Sequence, residues 1–112
     1  MDDCIFCKIA KGTIPAKRLA EDTELVAFPD VDPQAPIHVL VIPKQHVPSL
    51  HEVKDWGLVG RMHAMALRVA RDLGIGESGF RILINTGPDG VQTVGHVHLH
   101  LLGGRTMRWP PG

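Results

Sequence analysis

Apolar residues follow two periods along the chain. Between Asp55 and Leu73 they recur every three or four positions, as Leu58, Met62, Met65, Val69 and Leu73, with Arg61, Arg68, Arg71 and Asp72 off the stripe. That spacing predicts an amphipathic helix over 55–73, with Gly74 as its C-terminal cap. Elsewhere the runs are short and rich in β-branched residues. They predict strands at Arg18–Glu21, Leu25–Phe28, Ile37–Ile42, Phe80–Ile84 and Val94–Leu102. Pro29–Pro36 and Asn85–Gly90 have loop chemistry, Pro43 and Gly103-Gly104 close strands, and residues 4–11 predict a short helical turn ending near Gly12. Too few strand–helix–strand crossovers exist for a parallel sheet, so the class is α+β with an antiparallel sheet.

Composition narrows the function. The chain has 112 residues, 44% of them hydrophobic and 21% charged, which suits one globular domain spanning 1–112. Twelve Lys+Arg balance twelve Asp+Glu. The absence of a basic excess argues against stable nucleic-acid or anionic-membrane binding. No apolar run is long enough to span a bilayer. The start Met1-Asp2-Asp3 is acidic where a secretory signal would be basic. With only Cys4 and Cys7 there is no disulfide framework, and the expected location is cytoplasmic.

Three of the seven histidines fall within five residues, as His96, His98 and His100, alternating with Val97, Leu99 and Leu101. In a strand, residues two apart share a face, so all three imidazoles are expected on one side. A solvated polar face and a three-histidine metal site are two readings. The second lacks a nearby carboxylate to activate water. Nucleophilic catalysis at phosphorus is the third. A neutral imidazole is a good nucleophile, and a protonated one is a good leaving group. Glycines at 87, 90, 103 and 104 would let backbone N–H groups approach phosphate oxygens.

Gly95-His96-Val97-His98-Leu99-His100-Leu101-Leu102 resembles the alternating histidine motif of the histidine triad superfamily. Cys4–Ile9, Ile14–Lys17, Asp32–Pro36, Leu40–Lys44 and the tail Gly103–Gly112 are similar to its Hint branch, so the likeness covers nearly the whole chain. It implies a five-stranded antiparallel sheet with one long and one short helix, continued into ten strands across a homodimer. It implies a purine nucleoside phosphoramidase, an enzyme that hydrolyses the P–N bond of AMP- or GMP-amine conjugates through a nucleotidyl-histidine intermediate, with no cofactor required for catalysis. The alternatives are a nucleotide-binding regulatory or scaffold protein with incidental catalysis, and a dinucleoside-polyphosphate hydrolase. The tail Trp109-Pro110-Pro111-Gly112 speaks against the last.

By position, the resemblance makes His98 the nucleophile, flanked by His100 and His96, with His38 extending the relay. Asp30 would accept from the ribose hydroxyls, and Ile5, Phe6, Ile9 and Val31 would wall the purine. Asn85 and Thr93 would meet the phosphate or its leaving group, and Gln92 and Val94 would offer backbone N–H groups. The helix 55–73 would pack between protomers. The tail 103–112 would reach the partner's site and carry Trp109 there.

Cys4-x-x-Cys7 is open to a redox pair, two unrelated thiols, or two ligands of a zinc ion. Only three residues precede Cys4, so a redox pair, which needs a strand before its helix, is the least expected of the three readings. The resemblance implies zinc, with His46 and His96 as the other two ligands and a structural role. Two motifs mislead. Gly74-Ile75-Gly76-Glu77-Ser78-Gly79 fits a dinucleotide-binding pattern but follows a helix rather than a strand, and His51-Glu52 lacks the second histidine of a metalloprotease motif.

Overall fold

A computed structural model describes residues 3–112. Helix α1 spans Ile5–Lys11 and helix α2 spans Gly57–Asp72. The strands are β1 (Ala20–Glu21), β2 (Leu25–Pro29), β3 (Ile37–Pro43), β4 (Phe80–Leu83) and β5 (Leu99–Gly103). They form one antiparallel sheet in the order β1-β2-β3-β5-β4. The α+β class and the five strands agree with the pattern of the sequence.

Sheet alternation divides the core in two. Leu25, Ala27, Val39, Val41, Leu99 and Leu101 face α2, whose Leu58, Met62, Met65, Ala66, Val69 and Ala70 are buried against them. Val26, Phe28, Leu40 and Ile42 face the other way and meet Phe6 and Ile9 of α1. Strand β3 is therefore covered on both sides. This is why Val39–Ile42 reads as a continuous apolar run rather than an alternating one.

Local chemistry sets the helix limits. Gly12 is left-handed (φ 81°), and its N–H donates to the Ile9 carbonyl, ending α1. The expected start of α2 at Asp55 moves to Gly57, because the Asp55 carboxylate accepts from the Gly57 N–H at 3.0 Å and so stands outside the first turn. At the other end Gly74 turns left-handed (φ 79°), and the Ile75 N–H reaches back to the Ala70 carbonyl at 2.9 Å. Leu73, expected on the buried stripe, is 38% exposed because the helix has already ended. Ala66 and Ala70 pack there instead.

The largest departure is at β5. Its expected start at Val94 moves to Leu99, so Val94–His98 lie outside the ladder. Within that segment the Val97 N–H donates to the Val47 carbonyl at 2.7 Å, in the chain that follows β3. Strand β1 is two residues rather than four, β4 ends one residue early, and a 3₁₀ turn at Leu50–Glu52 was not expected. No helix is long and apolar enough to cross a membrane among the described residues.

Candidate active site and metal centre

Strands β3 and β5 bring His38 and His100 together. Leu40 pairs with His100 and His38 with Leu102, which makes the two histidines diagonal neighbours on the α1 side of the sheet. The Gln34 N–H donates to His38 Nδ1 at 3.0 Å. In neutral His38 the proton therefore sits on Nε2, which donates to His100 Nδ1 at 2.9 Å and lies 3.4 Å from Asp30 Oδ2. His100 must then carry its own proton on Nε2. That atom is buried with no hydrogen-bond partner among the described residues. A buried donor without an acceptor is costly unless something arrives to accept it.

His98 is fixed from the other end. Its Nδ1–H donates to the His96 carbonyl at 2.7 Å, which leaves the Nε2 lone pair free. The ring stacks at a tilt on His100, with centroids 4.9 Å apart, and the Phe6 ring meets it edge-on at 5.0 Å. Burial pushes the pKa of His38, His98 and His100 below the ordinary 6.5, and the carboxylate of Asp30 pulls the other way. His100 falls to about 4, where its histidine neighbours add to the burial. At neutral pH the cluster thus holds a free lone pair on His98 and a free N–H on His100.

The expected purine wall divides by burial. Phe6 and Ile9 are core, Ile5 is 46% exposed, and Val31 is fully exposed. Val94 packs on the Phe6–Ile9 cluster. Asn85 lies two residues beyond Leu83, the β4 partner of His100. Thr93 is exposed in the loop between β4 and β5. In that loop Val91 holds φ 59°, a conformation that β-branched residues rarely adopt.

One expected contact needs correction. Gln92 was to offer its N–H to phosphate, but that N–H donates to the Gly87 carbonyl at 3.1 Å. Its side-chain amide bridges the carbonyls of Pro48 and Val94, so Gln92 braces the loop. His96 is expected beside the nucleophile, supporting its geometry, and also among the metal ligands. Its Nε2–H donates to the Pro43 carbonyl at 2.8 Å, its Nδ1 faces two thiols, and its carbonyl oxygen accepts from His98 Nδ1. Trp109 is 82% exposed on its own protomer, where the Arg108 carbonyl beside it accepts from Arg81 of β4.

The thiols form a second cluster. His96 Nδ1 lies 3.3 Å from Cys4 Sγ and 3.5 Å from Cys7 Sγ, and His46 Nδ1 lies 3.2 Å from Cys7 Sγ. The four ligand atoms all fall within 4.8 Å of one another. Burial, with Cys4 beside it, pushes the Cys7 thiol up, the condition a bound cation would reverse. Two thiols and two imidazoles with convergent lone pairs suit tetrahedral zinc, and the Pro43 carbonyl fixes the required tautomer of His96.

Residues 11–107 match the HIT domain family. The chain belongs to that family. An uncharacterized HIT-like protein of Synechocystis is 50% identical over 99% of this chain and 98% of its own. Among solved structures, a HIT family hydrolase from Legionella pneumophila superposes with a TM-score of 0.94 at 46% identity, covering 98% of this chain and all of that one. A histidine triad nucleotide-binding protein from Candida albicans gives 0.84 at 34% identity, over 98% and 85% of the two chains. A zinc-bound histidine triad protein from Mycobacterium smegmatis gives 0.84 at 37%, over 93% and 76%.

Sequence reasoning missed the parts that set the imidazole tautomers. The Gln34 N–H and the Pro43 carbonyl are backbone groups, which a residue pattern does not display. Phe6, expected against the purine, also packs its ring on both His96 and His98. His38 shares a face with Leu40, two residues on, and the β3–β5 register sets it diagonal to His100, so the sequence held a signal for this pair.

Proposed function

We propose that this HIT domain is a purine nucleoside phosphoramidase, hydrolysing the P–N bond of AMP- or GMP-amine conjugates. The observation that carries the reading is the pairing of a free His98 Nε2 lone pair with an unpartnered, buried His100 Nε2–H. The first would attack the α-phosphorus, forming a nitrogen–phosphorus bond as the P–N bond to the amine breaks. The amine leaves with a proton drawn from solvent. The second would donate to a non-bridging phosphate oxygen, where negative charge grows in the transition state. Water then attacks the nucleotidyl-imidazole, its hydroxyl goes to phosphorus and its second proton to solvent, and His98 is regenerated as the nucleoside monophosphate departs.

Asp30 supplies paired acceptors suited to a ribose diol, and Ile5 and Val31 are exposed apolar side chains available to a purine. Asn85 and Thr93 are assigned to the phosphate and leaving-group side. The names of the Legionella and Candida neighbours, a hydrolase and a nucleotide-binding protein, agree with this assignment. Cys4, Cys7, His46 and His96 would hold a structural zinc that cross-links three chain segments, as the zinc-bound Mycobacterium neighbour suggests. The half-buried edge strand β4 would pair with a second copy in a homodimer, placing Trp109 near the partner's site.

The deciding experiment is hydrolysis of an adenosine 5′-phosphoramidate by wild type and His98→Asn, with EDTA and with diadenosine tetraphosphate in parallel. AMP release should survive EDTA and fall at least about 10⁴-fold in the variant. AMP binding without turnover would support the binding-protein reading. Faster cleavage of the tetraphosphate would support a polyphosphate hydrolase.

A further inference from the structure

The metal centre and the histidine site are built from the same pieces of chain. His96 turns its Nδ1 toward the thiols and gives its carbonyl oxygen to the Nδ1–H of His98. Phe6 sits between Cys4 and Cys7 in the chain, and its ring meets His96 at 5.8 Å and His98 at 5.0 Å, both edge-on. Helix α1 has seven residues, too few to be stable alone. Val94–His98 lack ladder partners. A metal drawing Cys4, Cys7, His46 and His96 together would tie the start of α1, the chain after β3 and the entry to β5 to one point.

Resting on the nucleotide-site reading above, we infer that the two sites are thermodynamically coupled through Phe6 and His96: metal in the Cys/His cluster tightens nucleotide binding, and nucleotide tightens metal binding. Without metal, Phe6 and the His96 carbonyl sample more arrangements, and the nucleotide must order them itself. With metal in place that ordering is already done, so affinity rises. Linkage requires the same factor in both directions.

The test uses AMP and Zn²⁺ as probes. AMP affinity is measured by calorimetry on zinc-loaded and chelator-stripped protein. Zinc affinity is measured by competition with a chromophoric chelator, with and without saturating AMP. The expected change is about tenfold, equal in the two directions. His46→Asn removes a cluster ligand that is not part of the histidine site, and should weaken zinc and AMP together. Phe6→Leu keeps both thiols and removes the ring, and should bring the factor toward one while zinc still binds.

Zinc affinity unmoved by AMP, on a protein that binds AMP when zinc-loaded, would overturn the coupling and leave the nucleotide reading standing. Failure of the zinc-loaded protein to bind AMP would instead remove the nucleotide reading. A stripped protein that loses its far-ultraviolet dichroism would make the linkage one of folding, and would equally overturn a route through Phe6 and His96.

Discussion

His96 and His98 stand two residues apart, yet each imidazole is held through the opposite nitrogen. His96 donates from Nε2 to the Pro43 carbonyl and turns Nδ1 inward. His98 donates from Nδ1 to the His96 carbonyl and turns Nε2 outward. In the first cluster the four ligand atoms lie within 4.8 Å of one another, the arrangement a cation needs. In the second, donors and acceptors alternate along Gln34, His38 and His100 and end in a free N–H, the arrangement an anion needs. Neighbouring carbonyls, not residue types, decide which chemistry a histidine does.

The sharpest way to break this contrast is at the end of the relay. His100→Ala should lower phosphoramidate turnover by about 10²–10⁴-fold with little change in zinc affinity. Steady-state kinetics beside a zinc titration reads both, and an unchanged turnover number would mean that the free N–H is idle.

Metal removal probes the other cluster. Zinc present at about 100 times its dissociation constant adds roughly 2.7 kcal/mol to stability. For a chain of this length that corresponds to about 10 °C in melting temperature. Differential scanning fluorimetry should show the shift in wild type and His100→Ala, and lose it in Cys7→Ser. A shift that persists in Cys7→Ser would place the ion elsewhere.

Acidification gives the smallest effect. His38, His98 and His100 have folded-state pKa values below 6.5, so the unfolded chain takes up protons first. Their contribution is full above pH 6.5 and is lost as pH falls through that value toward about 4. Read on Cys7→Ser, which takes metal release out of the measurement, the melting point should drop by about 5 °C between pH 7 and pH 5. A flat profile would mean the cluster is wetter than its burial implies.

The regular parts of the molecule were legible because they obey a period. The α2 stripe, the β3 run and the alternation of Leu99 and Leu101 each point to one face, and the described fold uses them so. The Cys-x-x-Cys spacing with His46 and His96 also converges in space. What escaped was set by long-range partners. Val94–His98 alternates like a strand, yet its neighbour is the irregular chain at Val47 rather than a ladder. Gln92 has the side chain of a ligand-binding residue, but two carbonyls, at Pro48 and Val94, claim it. No local pattern encodes such partners, because they arrive from 44 residues away in the case of Pro48.

The pairing of β3 with β5 has a kinetic consequence. His38 and His100 are 62 residues apart in sequence and meet only when these central strands close. Closure of so long a loop is entropically costly and comes late unless other contacts shorten it. The hairpin of β2 with β3 and the helix α2 can form from local contacts alone, without creating the His38–His100 bond. During refolding, recovery of turnover should therefore lag behind recovery of helical dichroism, and would clock completion of the whole sheet.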